Sequence, residues 1–461
     1  FCLSRGLGDV YKRQETESAD KEYRLSAKST ALEYAGEHIG GALWQYFEGQ
    51  GDAKRALAAM KDASRYTRGH LSRDAVHALY GGAVTLSASR MDMARSCHFA
   101  YFMRYGLKAR ERTGAGFDAP QIGTFVHDVM EHTLRQAKEC GGLHTLSKNK
   151  LHALVRASIE EYIDRVLPDL CEKSARFRYL FNRLCATVER IMDEVSEELQ
   201  SSDFEPLAFE LEFGADGQLP AITIREENGT ARVVGKVDRV DGWLHDGKLY
   251  LRVVDYKTGK KSFDLAELRY GLGLQMLLYL FTLKEEGQML FGGHEIVPAG
   301  VLYTPAREPM LRCARDTEPE KIEKALKKEL RRSGMVLEDP AVLQAMEHSA
   351  LESPCYLPIA VKRDGAVTGS LASAEQLGKL SKYVDHILHE ITQEVFAGNI
   401  DADPYARTPQ QSACTYCEFA SACHFENGCG SDRMEYIKTT KSDEFWQYID
   451  EVNGEEAHEN G

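Results

Sequence analysis

Two aspartates and a lysine in the stretch that ends at Lys257 are the residues of this chain best suited to chemistry. The dipeptide Asp246-Gly247 separates two β-rich runs, and it is a strong signal for a two-residue hairpin turn. Counting outward from that turn puts Asp238 opposite Asp255, with their Cβ atoms about 5 Å apart. Lys257 lies two residues beyond Asp255 and therefore shares its face of the strand. The pattern predicts that two carboxylates and an ammonium meet.

Opposed carboxylates in an apolar sheet favour the binding of a cation. Like charges opposite one another destabilise a sheet, and the flanking positions are mostly Val and Leu. Mg²⁺ and Mn²⁺ prefer hard oxygen ligands and complete their shells with water and substrate phosphate. Such a site suits metal-dependent hydrolysis of a phosphodiester. The alternative is a surface hairpin whose charged residues are merely solvated, which the register and the apolar setting disfavour.

Three closely spaced cysteines form a second candidate site. Two residues separate Cys414 from Cys417, and five separate Cys417 from Cys423. Such spacing is typical of metal ligands, and a fourth ligand is needed. By spacing alone the nearest candidates are His424 and Cys429, which would complete a local zinc site.

Three motifs together resemble the RecB-type branch of the PD-(D/E)XK nucleases. They are Gly-Lys-Val-Asp-Arg-Val-Asp at 235–241, Val-Asp-Tyr-Lys-Thr-Gly at 254–259, and Gln-Met-Leu-Leu-Tyr at 275–279. The resemblance implies an α/β fold in which a mixed sheet is flanked by helices, with helical insertions. It also implies that His127, four residues after Gly123, adds a metal ligand from an upstream helix.

A longer part of the chain, roughly 79–425, resembles the nuclease half of the AddB subunits of bacterial AddAB helicase-nucleases. The segment at 87–97, Ser-Ala-Ser-Arg-Met-Asp-Met-Ala-Arg-Ser-Cys, looks like the one that supplies the first cysteine of an iron-sulfur nuclease domain. One departure is His98, where relatives usually have a proline, a residue that would fix the backbone but ligate nothing. The resemblance implies a [4Fe-4S] cluster that acts as a structural staple. Its implied ligands are Cys97, Cys414, Cys417 and Cys423.

The expected reaction is hydrolysis of a DNA phosphodiester with Mg²⁺ or Mn²⁺. Asp238 and Asp255 are expected to hold the ion. His127 and the backbone carbonyl of Tyr256 are expected to assist them. Lys257 is expected to position the attacking water or to stabilise charge that develops on the phosphorane.

Gln275 shares a helix face with Tyr279, four residues later, and is expected to orient Lys257 or to contact DNA. The resemblance implies single-stranded DNA as substrate, an AddA-like helicase-nuclease subunit as partner, and a role in processing double-strand breaks. Two alternatives stay open. A non-catalytic DNA-binding or scaffold subunit is disfavoured because both aspartates and Lys257 are present. A freestanding iron-sulfur exonuclease is disfavoured by the chain length and the helical N-terminal segment.

The net charge of −14 counts against a broad basic surface that grips nucleic acid. It predicts a partner subunit or a further domain. Positive residues nevertheless cluster near the proposed site: Lys236, Arg239, Lys257, Lys260 and Lys261. No apolar run approaches the ~20 residues that span a bilayer. Eleven cysteines, three of them closely grouped, suit a reducing cytoplasm better than a disulfide framework.

The chain is expected to divide into four parts. Residues 1–14 look like translated adaptor sequence, and residues 15–80 look like a helical remnant of an upstream helicase-like domain. The nuclease domain is expected over 81–430, followed by an acidic and loosely ordered tail over 431–461. No G-x-x-x-x-G-K-[ST] phosphate loop occurs, so ATPase activity is not expected.

Hydrophobic periodicity gives a coarse assignment of the elements. Helices are expected at 22–49, 65–80, 122–140, 149–200, 267–283, 318–332 and 374–397. Strands are expected at 206–213, 220–226, 231–243, 248–256 and 297–303. Asp364-Gly365 predicts a second hairpin turn.

Overall fold

The computed structural model describes the residue ranges 23–63, 67–110, 119–214, 217–314 and 316–459. The segment expected to be adaptor, 1–14, lies outside these ranges. The helices are α1 (Lys28–Glu37), α2 (Ala42–Glu48), α3 (Gly51–Ala63), α4 (Arg73–Tyr80), α5 (Ala88–Ser96), α6 (His98–Tyr101), α7 (Ala119–Glu139), α8 (Lys148–Val166), α9 (Ala175–Gln200), α10 (Leu265–Arg269), α11 (Gln275–Glu286), α12 (Pro319–Glu329), α13 (Pro340–Met346), α14 (Ala374–Phe396), α15 (Ala420–Cys423) and α16 (Ser442–Glu459). The strands are β1 (Ala83–Leu86), β2 (Glu205–Phe213), β3 (Ile222–Glu226), β4 (Gly229–Val233), β5 (Gly235–His245), β6 (Lys248–Lys257), β7 (Glu295–Pro305), β8 (Ser333–Leu337), β9 (Ile359–Val361), β10 (Val367–Gly369), β11 (Leu371–Ala372), β12 (Tyr405–Thr408), β13 (Gln411–Ser412) and β14 (Glu435–Tyr436).

The described residues form one large sheet of six strands in the order β11-β8-β7-β6-β5-β2. Strands β2, β5 and β6 are antiparallel neighbours, whereas β6 and β7 run parallel. Helix α11 packs against β6 and β7, and α7 packs against β2. Consecutive residues of β6, such as Val253 and Val254, are wholly buried, as expected of a strand covered on both faces. The mixed sheet flanked by helices confirms the predicted α/β fold.

The hairpin of β5 and β6 has the predicted register. The ladder runs from the turn, without a shift, to Arg239 opposite Val254. Asp246 and Gly247 both have positive φ angles, +49° and +77°, as a two-residue type I′ turn requires. The turn therefore fixes which side chains face one another at the far end of the hairpin.

The strand expected over 231–243 is two strands that belong to different sheets. Strand β4 pairs with β1 and β3, and β5 lies in the large sheet. Between them the chain passes close to α11 at Gly235. A Cβ there would meet ring atoms of Phe213 and Tyr279 at 2.5 Å each, so only glycine fits.

Two helices expected from periodicity are each interrupted. The helix predicted over 267–283 divides into α10 and α11, because Gly271 and Gly273 adopt φ angles of +73° and +68° between them. The helix predicted over 149–200 divides into α8 and α9 around Pro168, which cannot continue a helix. Both predictions gave the correct type of secondary structure, but each expected one continuous helix where the structure has two.

The tail after residue 431 was expected to be loosely ordered, and this is wrong for its described part. Helix α16 packs against α14, and its residues Phe445 and Ile449 have no exposed surface. Lys379 Nζ lies 2.8 Å from Asp450 Oδ1 across the same contact. Apolar side chains spaced four apart outweigh the acidic composition of the segment.

The N-terminal helices α1 to α3 have a small core of their own, which includes Trp44, Phe47 and Leu57. Helices α1 and α2 match the helical pattern predicted over 22–49, and α3 lies beyond that range. Assigning these helices to a helicase-like domain stays a prediction. The helix predicted over 65–80 begins only at Arg73, and residues 64–66 lie outside the described ranges. Among the described helices, none combines the length and the apolar character needed to cross a membrane.

Candidate active site and cysteine centre

Asp238, Asp255 and Lys257 meet at the open end of the β5–β6 hairpin. Extending the register by one residue beyond Arg239 and Val254 sets Asp238 across from Asp255, and Asp238 Oδ2 accepts a hydrogen bond from Tyr256 N at 2.8 Å. Lys257 Nζ lies 2.7 Å from Asp255 Oδ2. Asp255 is buried, and burial together with the charge of Asp238 raises its pKa to about 6. The structure thus brings together the three residues that the sequence singled out.

His127 reaches the same point from α7. Its Nε2 lies 2.9 Å from the carbonyl oxygen of Tyr256, and its Nδ1 lies 3.2 Å from Asp238 Oδ1. Burial alone would lower the pKa of His127, but Asp238, Asp255 and Glu210 raise it to about 9. An imidazole with a proton on each nitrogen can donate to both neighbours. His127 and the Tyr256 carbonyl are therefore next to the carboxylates, as expected from the family resemblance.

Glu210 on β2 belongs to this group, and sequence reasoning missed it. Donor atoms of His127, Glu210 and Asp238 all lie within 4.8 Å of one another, the only such group of three or more His, Cys, Asp or Glu donors in the described ranges. Glu210 has a φ of +48°, unusual for a non-glycine residue and a conformation found at functional sites. Burial raises its pKa, against the opposing effect of Lys236, whose Nζ lies 2.7 Å from Glu210 Oε2.

These residues together are called the carboxylate centre: His127, Glu210, Asp238, Asp255 and Lys257. Its donor set is three carboxylates and one imidazole, with a backbone carbonyl nearby. Oxygen-rich sets of this kind suit Mg²⁺ or Mn²⁺. The residues present therefore fit a divalent ion.

Gln275 at the start of α11 contacts the carboxylate centre from the other side. Its Nε2 lies 3.5 Å from Asp255 Oδ1, a long contact, and donates to the hydroxyl of Tyr279 at 3.2 Å. Tyr279 is buried and packs edge-on against Phe213, with ring centroids 5.2 Å apart. Gln275 therefore faces Asp255, the residue that contacts Lys257, and its expected role in orienting Lys257 or contacting DNA stays a prediction. Tyr279 contacts Gln275 and packs in the core.

Behind the carboxylate centre lies a set of fully buried charges, here called the buried ion network: Glu198, Arg239, Asp241, Arg252 and Arg332. Arg239 pairs with Asp241 at 2.8 Å and donates to the hydroxyl of Tyr256 at 2.6 Å. Arg239 was expected in a cation cluster near DNA, and this is wrong because none of its surface is exposed. Its charge serves instead to hold β5 against Tyr256, whose carbonyl faces His127.

The four predicted cluster ligands line one cavity of about 540 Å³ and are called the cysteine centre: Cys97, Cys414, Cys417 and Cys423. Cys97 ends α5 and is buried, which raises its pKa to about 12. His424 also lines the cavity, whereas Cys429 is exposed and does not. The fold therefore brings Cys97, rather than Cys429, to the other three thiols.

The spacing of the thiols fits a group larger than one ion. In the described ranges no three cysteine sulfurs lie within 4.8 Å of one another. Four thiolates at about 2.3 Å from one zinc ion would lie about 3.8 Å apart. A cavity of this volume, lined by four thiols of which no three converge within 4.8 Å, suits an iron-sulfur cluster better than a single zinc ion.

Salt bridges tie together the segments that carry the cysteines. Arg68 donates to both carboxylate oxygens of Asp432 and to the carbonyl of Cys423, each at 2.8 Å. His98 lies between Asp403, at 2.6 Å, and Glu394, at 3.1 Å. His98 thus makes side-chain contacts that a proline at this position could not make.

Comparison with known proteins agrees with this geometry. The model of the PD-(D/E)XK nuclease superfamily matches residues 85–424. The AddB subunit of the ATP-dependent helicase/deoxyribonuclease of Ruminiclostridium cellulolyticum is 30% identical over 423 residues, 90% of this chain and 37% of the relative. The corresponding AddB subunits of Acetivibrio thermocellus and of Thermoanaerobacter sp. are 32% and 31% identical, over 88% and 81% of this chain and 35% and 33% of their own lengths.

The chain therefore spans little more than a third of the curated relatives that it matches. The superfamily match, by contrast, covers most of the chain and contains both the carboxylate centre and the cysteine centre. This chain belongs to the PD-(D/E)XK nuclease superfamily.

Proposed function

We propose that this chain hydrolyses phosphodiester bonds of DNA with a divalent metal ion. The observation that carries the proposal is the carboxylate centre, in which donor atoms of His127, Glu210 and Asp238 converge beside Asp255 and Lys257. Carboxylates in such a group are costly unless a cation joins them. In a member of a nuclease superfamily, that cation would serve the hydrolysis of phosphodiester bonds.

His127, Glu210, Asp238, Asp255 and the Tyr256 carbonyl are the residues that would hold the ion. When bound, a divalent ion supplies Lewis-acid polarisation of the phosphate. Lys257 donates to the phosphate oxygens as negative charge develops on them, and the 2.7 Å contact with Asp255 fixes its position. Gln275, in contact with Asp255, keeps α11 in register with this end of β6.

The cysteine centre would hold a [4Fe-4S] cluster as a structural crosslink. Its support is the shared cavity, the spacing of the thiols and the chain distance between Cys97 and Cys414. A crosslink that closes so long a loop constrains the unfolded chain strongly. The cluster would take no part in the hydrolysis.

We further propose that the chain acts on single-stranded DNA, together with an AddA-like helicase-nuclease subunit in the cytoplasm. The support is the similarity to the AddB subunits of ATP-dependent helicase/deoxyribonucleases and the net charge of −14, which leaves much of the DNA affinity to a partner. A non-catalytic scaffold is the weaker candidate, because nothing in packing requires Lys257 beside two opposed carboxylates.

The test is Mg²⁺-dependent cleavage of end-labelled single-stranded DNA by anaerobically purified chain, beside Asp255→Ala prepared identically. Cleavage by the parent alone would support both the activity and the site. Equal cleavage by both proteins would mean contamination or a wrong site. No cleavage by either, from folded brown protein, would favour the scaffold or an activity that needs the partner.

A further inference from the structure

A pocket with an excess of positive charge opens beside the carboxylate centre. It has a volume of about 340 Å³ and is called the basic pocket. Its charged lining residues are Lys257, Lys260, Lys261, Arg307, Arg331 and Glu329. Five cations and one carboxylate line the pocket, and two further carboxylates, Asp255 and Glu267, contact Lys257 and Lys261 from outside it. The remaining formal charge is +2, in a chain whose total charge is −14. Because the charge of the basic pocket is opposite in sign to that of the whole chain, the pocket attracts anions.

The basic pocket and the carboxylate centre share Lys257. That lysine contacts Asp255 at 2.7 Å and also lines the basic pocket. Tyr303, another lining residue, pairs with Asp255 across the parallel strands β6 and β7. Lys257 Nζ lies 5.7 Å from the centre of the Tyr303 ring. An anion in the basic pocket would therefore lie directly beside the position of the cleaved phosphate.

Glu329 is the one carboxylate among the lining residues, and one of its oxygens contacts two of the cations. Its Oε1 lies 2.7 Å from Arg307 Nη2 and 3.5 Å from Lys260 Nζ. The hydrogen bond from Arg307 lowers the pKa of Glu329. Lys260 is 80% exposed and Glu329 is 30% exposed, so this contact lies at the solvent-facing side of the basic pocket. A carboxylate oxygen held by two cations is arranged as a phosphate oxygen would be.

We propose that the basic pocket binds a phosphodiester group of the substrate strand next to the cleaved bond, and that Glu329 takes the place of that group when no strand is bound. The inference rests on the proposed function and extends it to the path of the strand. Phosphate contacts with Lys and Arg set the register of nucleic acid without reading its sequence. Binding of a strand would transfer Arg307 and Lys260 from Glu329 to phosphate.

Two substitutions in one ion pair should then have opposite effects on binding. Lys260→Ala removes a phosphate contact, so the Kd should rise about three- to tenfold and the salt slope should fall by about 0.7. Glu329→Gln removes the competing carboxylate, so the Kd should fall about threefold. The probe is a fluorescein-labelled oligothymidylate of about 20 nucleotides, followed by anisotropy in EDTA between about 50 and 200 mM salt.

Lys248 and Glu295 provide matched controls. They form a similar exposed pair, 2.9 Å apart, at the turn end of the hairpin, far along the sheet from Lys257. Lys248→Ala and Glu295→Gln change the charge by the same amounts and should leave the Kd within about twofold of the parent. A duplex of the same length, tested in parallel, shows which form of the phosphodiester backbone the pocket prefers.

Equal effects of Lys260→Ala and Lys248→Ala, or weaker binding by Glu329→Gln, would overturn the inference. Absence of any binding by the parent chain would overturn it too. Because binding is measured in EDTA, its result is separate from cleavage. If the parent cleaves DNA and the four variants bind it alike, the proposed nuclease activity stands and the phosphate subsite is ruled out. If Lys260→Ala and Glu329→Gln shift the Kd in opposite directions but the parent does not cleave, the subsite stands and the nuclease activity does not.

Discussion

In the carboxylate centre the functional side chains contact one another, whereas in the cysteine centre the polar contacts are made by the residues around the thiols. Asp238 is bonded to the backbone of β6, His127 to Asp238, and Lys257 to Asp255. Around the cysteines, neighbours such as Arg68 and His98 make the ion pairs instead. The first centre is a product of sheet register and the second of tertiary closure. Function and stability should therefore respond differently in the two.

The largest expected effect is a loss of cleavage activity at the carboxylate centre with little change in stability. Asp238→Asn should reduce cleavage about a thousandfold, because it removes a metal ligand while the amide oxygen can still accept from Tyr256 N. The free energy of unfolding should stay within about 1 kcal/mol, since the change also relieves repulsion with Asp255. Cleavage rate and urea unfolding measured on one preparation test both statements.

Asp246→Asn is the matched control for that prediction. It makes the same chemical change in the same hairpin, at a turn residue whose side chain is 89% exposed and whose positive φ suits Asn. Both properties should match the parent. A loss of stability confined to Asp238→Asn would show that register alone does not assemble the carboxylate centre.

The second effect is the reverse, a loss of stability at the cysteine centre. Cys97→Ser should bleach the brown protein and lower the free energy of unfolding by about 4 kcal/mol, because it opens a crosslink over a very long loop. Anaerobic urea unfolding and visible absorbance check it. Cys140→Ser and Cys429→Ser, at exposed cysteines, should change neither property. Retention of colour in Cys97→Ser would instead mean that a cluster is held without Cys97.

The third prediction concerns the buried ion network that supports β5 and β6. Burial would raise the pKa of Glu198, but Arg332, Arg252 and Arg239 lower it from 4.5 to about 2. The stability that Glu198 contributes is complete above pH 4.5 and is lost as the pH falls through 2. The expected loss is about 3 kcal/mol.

Unfolding by urea at several pH values tests this sign. Glu198→Gln should be less stable at neutral pH because Arg332 then loses its carboxylate partner. It should also lack this component of the acid transition, because Gln does not titrate. Glu197→Gln, one residue earlier and exposed, should follow the parent curve. A parent and a Glu198→Gln chain that lose stability equally below pH 4.5 would contradict the prediction.

The smallest effect concerns the neighbours of the thiols. His98→Ala removes the imidazole contacts with Asp403 and Glu394 and should cost about 2 kcal/mol. His348→Ala removes a contact of 2.9 Å with Asp203 in which both side chains are more than half exposed, so it should cost under about 1 kcal/mol. If the two substitutions lowered the free energy of unfolding equally, the contacts of His98 would not stabilise the cysteine centre more than an exposed ion pair stabilises the protein.

The hairpin could be predicted from sequence because a single turn dipeptide fixes its register. Asp238, Asp255 and Lys257 follow from counting, and the structure agrees. Glu210 could not be found in that way, since it reaches the site only through the pairing of β2 with β5. The alternation Phe-Glu-Leu-Glu-Phe at 209–213 was its one local signal.

Errors arose where tertiary packing overrides local character. Arg239 was expected among cations near DNA, but it is fully buried against Asp241. The acidic tail was expected to be loose, but Phe445 and Ile449 pack it against α14. Charge in the sequence does not reveal whether a partner charge lies inside the fold. Hydrophobic periodicity likewise predicted a helix over 267–283 but did not indicate that two glycines interrupt it.

The cavity that brings Cys97 and Cys414 together can form only late in the synthesis of the chain. More than three hundred residues separate the two cysteines, on the order of 15 to 60 s of ribosomal synthesis. The strands that carry the carboxylate centre are complete well before Cys414 emerges. A nascent chain therefore passes through an interval in which the residues of the carboxylate centre can already meet, whereas Cys97 cannot yet be joined by Cys414 in the cysteine centre.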